Sequence, residues 1–506
     1  MEEIARLVKI VTKRGKKNIQ LLDLKSDNDL NSKEMQLFNK IKEGKVGSDK
    51  DAAYEIYGEE KVDYRYRMLK SRLKQKLLNH LFFLDFNDSQ IKASHHDEQE
   101  CLNFLHQGRM LLKFGDLGIA EKILNKAINL AKGSEFNYII LDSLKLLRFI
   151  YASRVRPVMY DKNKEKLEHY KKLIKLEEEA AELYFKVKVE LNRSVSSRKE
   201  NLQFAEDGIE TLRKLWEKTD SYNIFEHYHL LNVWFHELTG NYAKVIEITN
   251  HIDEQYKKTI INRKRFDDRF NKFAKIYAYL RIKDYKNGLA QAKEYVKSFS
   301  RYSTNWFSFM ENYFLLAMHS RDYTLSGELL QEVERNPNYN KISELAKERW
   351  NLYTAYLQFI NPTNRVNRSF NYYDFVSTVP EYSKDKEGFN LAILVLQYLY
   401  YLENKDLDAL MFRVESLKKY MSRHFKETFS TRTVIFFKLL INLVQYDFDL
   451  KTCRKKSKYL YDKLKSADVP GDAYAEIEII PYEHLWEWLM NKLEEFEEKG
   501  DRMSLA

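Results

Sequence analysis

A short polar turn recurs along this chain and divides it into helical pairs. It is written Gly115-Asp116, Gly240-Asn241-Tyr242, Lys283-Asp284-Tyr285, Arg321-Asp322-Tyr323, Lys405-Asp406 and Asp447-Phe448-Asp449. Each carries an Asp or Asn whose side chain bonds local backbone, and a Tyr or Leu follows to pack below. The turns at 240, 283, 321 and 405 lie 43, 38 and 84 residues apart. The last gap is twice 42, and its midpoint falls on Pro362-Thr363, itself a turn signal. Few other breakers exist, with 15 Gly and 6 Pro in 506 residues. Long helices with short connections follow. The spacing predicts an all-α chain, a two-helix solenoid with a period near 42. Five helices fit between the turns at 115 and 240, so the phase is irregular there, at a very long helix from Lys162 to Leu191.

The opening unit runs from Cys101 to Lys132, CLNFLHQGRMLLKFGDLGIAEKILNKAINLAK. Small residues stand at Gly108, Gly115, Ala120 and Ala127, with large apolar residues between them. Gly108 and Ala120 are expected where the two helices cross, since only small side chains let helix axes come close, and Ala127 where the next helix packs. This stretch resembles a tetratricopeptide repeat. Phe104 stands where that family has tryptophan, and Lys132 where it has a closing proline. The resemblance implies stacked helix pairs that bind other proteins. Later units keep the turn but replace the small pair: Val233 with Val245, Ile276 with Gly288, Phe314 with Ser326, Tyr398 with Leu410.

Residues 1–90 read as a separate helical module. Helices are expected over Glu3–Lys13, over Ser32–Glu43, from Ser48 (N-cap) to Gly58 (C-cap), and over Asp63–Asp85. The last has an apolar stripe, Leu69, Leu73, Leu77, Leu81 and Leu84. Arg65, Arg67, Lys70, Arg72, Lys74 and Lys76 lie off that stripe. A short helix, a turn and a basic amphipathic helix resemble the core of a helix-turn-helix or winged-helix DNA-binding domain. That resemblance implies DNA contact through these cations. A solvated face on a capping helix is the plainer reading. Residues 87–98 read as a polar linker. Within it, His95-His96-Asp97 is too compact a group for a closed metal site. The remaining divisions are 91–192 (first repeats and the long helix), 193–468 (divergent repeats) and 469–506 (a capping helix from Pro481). AYAEIEII before that helix reads as a short strand or a strained loop.

Catalytic signals are absent: the sequence has no glycine-rich phosphate loop, GxSxG, HExxH or CxxC. His227 and His229 alternate within a helix and point to different faces. The expectation is a non-enzyme with no cofactor. Cys101 and Cys453, far apart, suggest a reducing compartment, and no apolar run reaches the ~18 residues that span a bilayer. A cytoplasmic protein without membrane insertion is expected. The Lys, Tyr, Phe and Asn bias suggests an AT-rich bacterial genome. The balance of 85 basic against 75 acidic residues, a net +10, is mild for this length.

Aromatic residues recur in the first helices of the pairs. Tyr277, Trp306, Phe309, Asn312, Tyr313, Tyr398 and Tyr401 are candidate groove contacts, with Arg321 beside them. In the resembled family those helices line the concave face. The competing reading is that these rings fill space left by the missing small residues. The leading function is a scaffold that grips a protein or peptide partner. One alternative is a DNA-binding regulator using the helix over 63–85 with the repeats as sensor. Another is a subunit of a bacterial defence or secretion assembly.

Overall fold

The computed structural model describes residues 32–80, 93–193, 201–361, 387–424, 431–467 and 478–500. Among them the chain forms 20 α-helices and no strand. Two compact units result, Met1–Tyr170 and Lys171–Ala506. The first holds α1 (Lys33–Lys42), α2 (Asp49–Tyr57), α3 (Tyr64–His80), α4 (Ala93–Lys113), α5 (Leu117–Gly133) and α6 (Asn137–Ser153). The 37-residue α7 (Pro157–Arg193) begins in the first unit and continues into the second. There follow α8 (Leu202–Thr219), α9 (Tyr222–Leu238), α10 (Tyr242–Lys257), α11 (Asp268–Arg281), α12 (Tyr285–Tyr295), α13 (Thr304–His319) and α14 (Tyr323–Glu334). The last six are α15 (Glu344–Ile360), α16 (Glu387–Glu403), α17 (Leu407–His424), α18 (Thr431–Gln445), α19 (Leu450–Ser466) and α20 (Tyr482–Glu498).

Helices pack in neighbouring pairs, and α4 with α6, α11 with α13, and α18 with α20 also touch. Five of the six recurrent turns share one construction. The helix ends in a left-handed residue: Gly115 (φ 80°), Gly240 (77°), Lys283 (63°), Arg321 (64°) or Lys405 (56°). The next amide bonds back to the carbonyl five residues earlier, as in Asp116 to Leu111 at 3.0 Å and Asp322 to Ala317 at 2.9 Å. The same Asp or Asn then caps the following helix. Asp116 accepts from the Ile119 amide, Asn241 from Lys244, Asp284 from Asn287, Asp322 from Leu325 and Asp406 from Ala409. Two helix ends are thus satisfied in three residues.

In the opening hairpin, a Cβ on Gly108 would lie 2.6 Å from Leu124 Cδ2, so α4 and α5 meet at this glycine. Ala120 and Ala127 are fully buried. Five helices, α5–α9, separate the turns at 115 and 240, as expected. In the amino-terminal module Ser48 caps α2 by accepting from the Asp51 amide, and Gly58 ends it at φ 77°. Met35, Leu37, Ala52, Ala53, Tyr66, Leu69 and Leu73 form its small core.

Several expectations change. The expected linker over 87–98 is helical from Ala93 onward. The long helix expected over Lys162–Leu191 begins earlier, at Pro157, because a first-turn position needs no amide donor. Leu77 of the expected stripe is exposed. Residues 478–480 form no strand. The helix over 3–13, Leu81, Leu84, the turn at 362–363 and residues 473–477 lie outside the described residues.

Candidate functional site

The aromatic candidates divide sharply. Trp306, Phe309 and Tyr398 are fully buried, and Asn312 and Tyr313 nearly so. Phe309 packs on Phe299 at 4.6 Å, and the Tyr398 hydroxyl donates to the Leu440 carbonyl in α18 at 2.9 Å. These five are core, which removes them from any open groove. At Gly288, α12 approaches α13 so closely that a Cβ would lie 2.8 Å from Leu316 Cδ2. Tyr277 and Tyr401 are half-buried. The Tyr277 hydroxyl accepts from Arg281 Nε at 3.0 Å, and Tyr401 meets Tyr400 edge-on.

The face that these helices were expected to offer is crossed by the chain's own last helix. Along α20, Glu483 takes Lys283, Glu487 takes Arg321, Trp488 packs on Phe359, Lys492 reaches Glu403, and Phe496 lies under Lys405. The order of partners follows the order of the hairpins. From Glu483 to Phe496 the helix rises roughly 20 Å. Tyr482, Leu485, Trp486, Leu489, Met490, Leu493 and Phe496 of α20 are buried, with Tyr482 stacked on Phe436 of α18 and Trp486 tilted against Tyr461 of α19. Lys283, Arg321 and Lys405 each occupy the left-handed turn position that favours glycine. The side chain of each reaches α20. Turns that carry Gly115 and Gly240 have no such duty.

At the root of α20 sits Arg432, 1% exposed. Its guanidinium donates to both Glu478 oxygens at 2.7 and 2.9 Å, to Glu483 at 2.6 Å, and to the Leu464 and Ala467 carbonyls at 2.9 and 3.3 Å. Burial would raise the Glu483 carboxyl, but bonds and charge from Arg432 and Lys283 outweigh it and hold it down at about 2. His319 donates to the Glu478 carbonyl at 2.6 Å, and burial pushes its imidazole down to about 4. A cavity of about 80 Å³ lies beside this cluster, lined by Tyr277, Leu315, His319 and Pro481 among others. Sequence reasoning missed Arg432. Its signal was a lone cation directly ahead of the most apolar segment, 433–444.

Three of the six cations on the basic helix of the amino-terminal module are paired with carboxylates. Arg65 pairs with Asp63 at 2.6 Å, Lys70 with Asp49 at 2.6 Å and Arg72 with Glu34 at 2.8 Å. The Arg72 and Lys70 pairs tie α3 to α1 and α2, whereas Asp63 directly precedes α3. Arg67, Lys74 and Lys76 have no ion pair among the described residues.

Histidines 227 and 229 face different neighbours, as their alternation requires. His227 stacks on Tyr184 of α7. His229 is buried and donates from Nε2 to Asn271 Oδ1 at 2.7 Å; Asn271 in turn donates to Asp253, which pairs with Lys275. Burial lowers His229 to about 4, against smaller opposing pulls from Asn271 and Asp253. Asp97 accepts from the Ser134 hydroxyl, and no group of three metal-ligating side chains occurs among the described residues. No described helix is long and apolar enough to cross a membrane.

An open face does exist in the first unit. On α6, Tyr138, Asp142, Lys145 and Phe149 recur at helical spacing on one side. Tyr138 donates to Glu98 of α4 at 2.6 Å, and Arg109 of α4 pairs with Asp142 at 2.8 Å. Leu102 lies between Glu98 and Arg109 on the same side of α4. Leu102 is 40% exposed, Tyr138 44% and Phe149 57%. Three large apolar groups therefore stand in water, bordered by the Arg109–Asp142–Lys145 charges. The sequence patterns that drew attention to later aromatics passed over this pair of helices. Comparison with family models, with curated proteins and with solved structures finds no match to this chain.

Proposed function

We propose that this protein is a non-enzymatic interaction scaffold, a tetratricopeptide-like solenoid whose docking face for a protein partner is formed by α4 and α6. The carrying observation is the exposed trio Leu102, Tyr138 and Phe149 on adjoining helices, rimmed by charge. Aromatic anchors surrounded by polar groups are the usual composition of a binding hot spot. The contacts of α4 with α6 and of α11 with α13 support the solenoid reading, since they join first helices of successive pairs. A partner of matching chemistry is a helix or extended segment with apolar side chains at its centre.

The alternative, a regulator reading DNA through α3, is weakened by the carboxylates on Arg65, Lys70 and Arg72. The test compares proteins captured from cell extract by the full chain, by Leu102→Glu/Phe149→Glu and by Phe412→Glu, a control at another exposed ring. Loss of the same partners only in the first variant, with its melting temperature unchanged, supports the reading. Equal capture by all three overturns it.

A further inference from the structure

Among the described helices, α19 carries a run of cations along its exposed side. Its buried side is Leu450, Cys453, Ser457 and Leu464. The opposite side exposes Lys451, Arg454, Lys455, Lys456, Lys458, Lys463 and Lys465, against a single acid, Asp462. Arg454 is engaged by Glu494 of α20 at 2.8 Å, and Lys465 lies over the Tyr461 ring. Lys451, Lys455, Lys456, Lys458 and Lys463 have no ion pair among the described residues, unlike half of the cations on α3. The face from Lys451 to Lys465 is about 21 Å long. Tyr459 stands in its middle at 74% exposure, one helical turn from both Lys455 and Lys463.

The chemistry of this face selects a partner. A protein partner needs apolar anchors that lose water at the centre of the contact, and here there is one ring among lysines. A membrane-surface helix needs a free apolar side, and that of α19 is already packed inside the fold. A polyanion gains affinity by releasing counterions and needs no apolar area. An exposed ring between cations is also the usual platform for an unpaired base. We propose that α19 binds the backbone of a single-stranded nucleic acid, with the lysines on phosphates and Tyr459 stacked on a base. This site is distinct from α3 and independent of the α4–α6 face.

Fluorescence anisotropy of the full chain with labelled 20-mers of oligo-U and oligo-dT tests this over a salt series. Six lysines on phosphates give a slope of log K against log salt of about −4. Lys455→Ala/Lys458→Ala/Lys463→Ala is expected to flatten that slope by about 2. Tyr459→Ala is expected to weaken binding on the order of 10-fold with the slope kept, and Tyr459→Phe to restore it. All substituted positions are exposed, so unchanged thermal melts accompany these results. Tighter binding of a 20-base-pair duplex, of polyglutamate or of phosphatidylserine vesicles overturns the assignment. So does loss of binding in Arg67→Ala/Lys74→Ala/Lys76→Ala with none in the α19 variant, or no binding at low salt.

Discussion

Arg432→Met is the perturbation that weighs most on the second unit. Arg432 holds Glu478 and Glu483, and it also closes the Leu464 and Ala467 carbonyls at the end of α19. Without it two carboxylates stay in a buried site, with Lys283 left to pair Glu483. A carboxylate held at about 2 rather than 4.5 reflects about 3 kcal/mol of favourable interaction. Removing one member of a buried ion pair costs about 3–5 kcal/mol on independent grounds. The two routes agree, so a loss of about 3–5 kcal/mol is expected in urea unfolding at pH 7. Hydrogen exchange gives the location: amides of α20 lose protection before those of α4 and α5. Arg432→Met/Glu478→Gln/Glu483→Gln removes the stranded charges and recovers part of the loss. A cost under about 1 kcal/mol, or no recovery in the triple variant, refutes the view that this cluster anchors α20.

Acid weakens the second unit through two histidines. Burial lowers both His229 and His319 from 6.5 to about 4. Such a depressed imidazole contributes stability that is complete above pH 6.5 and is lost as pH falls towards 4, because the unfolded chain takes the proton first. Each removes about 2 kcal/mol by pH 5, and His229→Asn shows a correspondingly shallower pH dependence in urea titrations. An equal slope in wild type and variant contradicts the burial argument. At the first hairpin, Gly108→Ala places a Cβ 2.6 Å from the Leu124 side chain. It costs about 1–3 kcal/mol. A double-mutant cycle with Leu124→Ala gives a coupling above about 0.5 kcal/mol, whereas strict additivity contradicts the close approach.

The sequence shows what is local. Turn chemistry is decided within a few residues, so Gly115-Asp116 and Arg321-Asp322 announced both a helix end and the next helix start. The Ser48 and Gly58 caps followed from the same logic. What a ring touches is decided by another helix. Trp306 and Tyr398 have the same spacing whether they line a groove or fill a core, and the residues that enclose them lie elsewhere in the chain. The pairs Lys283–Glu483 and Arg321–Glu487 join positions far apart, beyond any periodicity. Their trace was a cation in a left-handed turn where glycine is easier. That trace is not unique, since Glu135, Val155 and Thr259 also have positive φ. On α3 the charges were legible and their neutralisation was not, because Glu34 and Asp49 come from other helices.

Site-specific photo-cross-linking in cells tests the central claim most directly. A photoreactive phenylalanine analogue is placed at Phe149, on the α4–α6 face, and in a parallel strain at Phe412, exposed on α17. The α4–α6 account predicts discrete heteromeric adducts from position 149 that disappear when Leu102→Glu is added, with none of them formed from position 412. The same adducts from both positions, or none from position 149, contradict it.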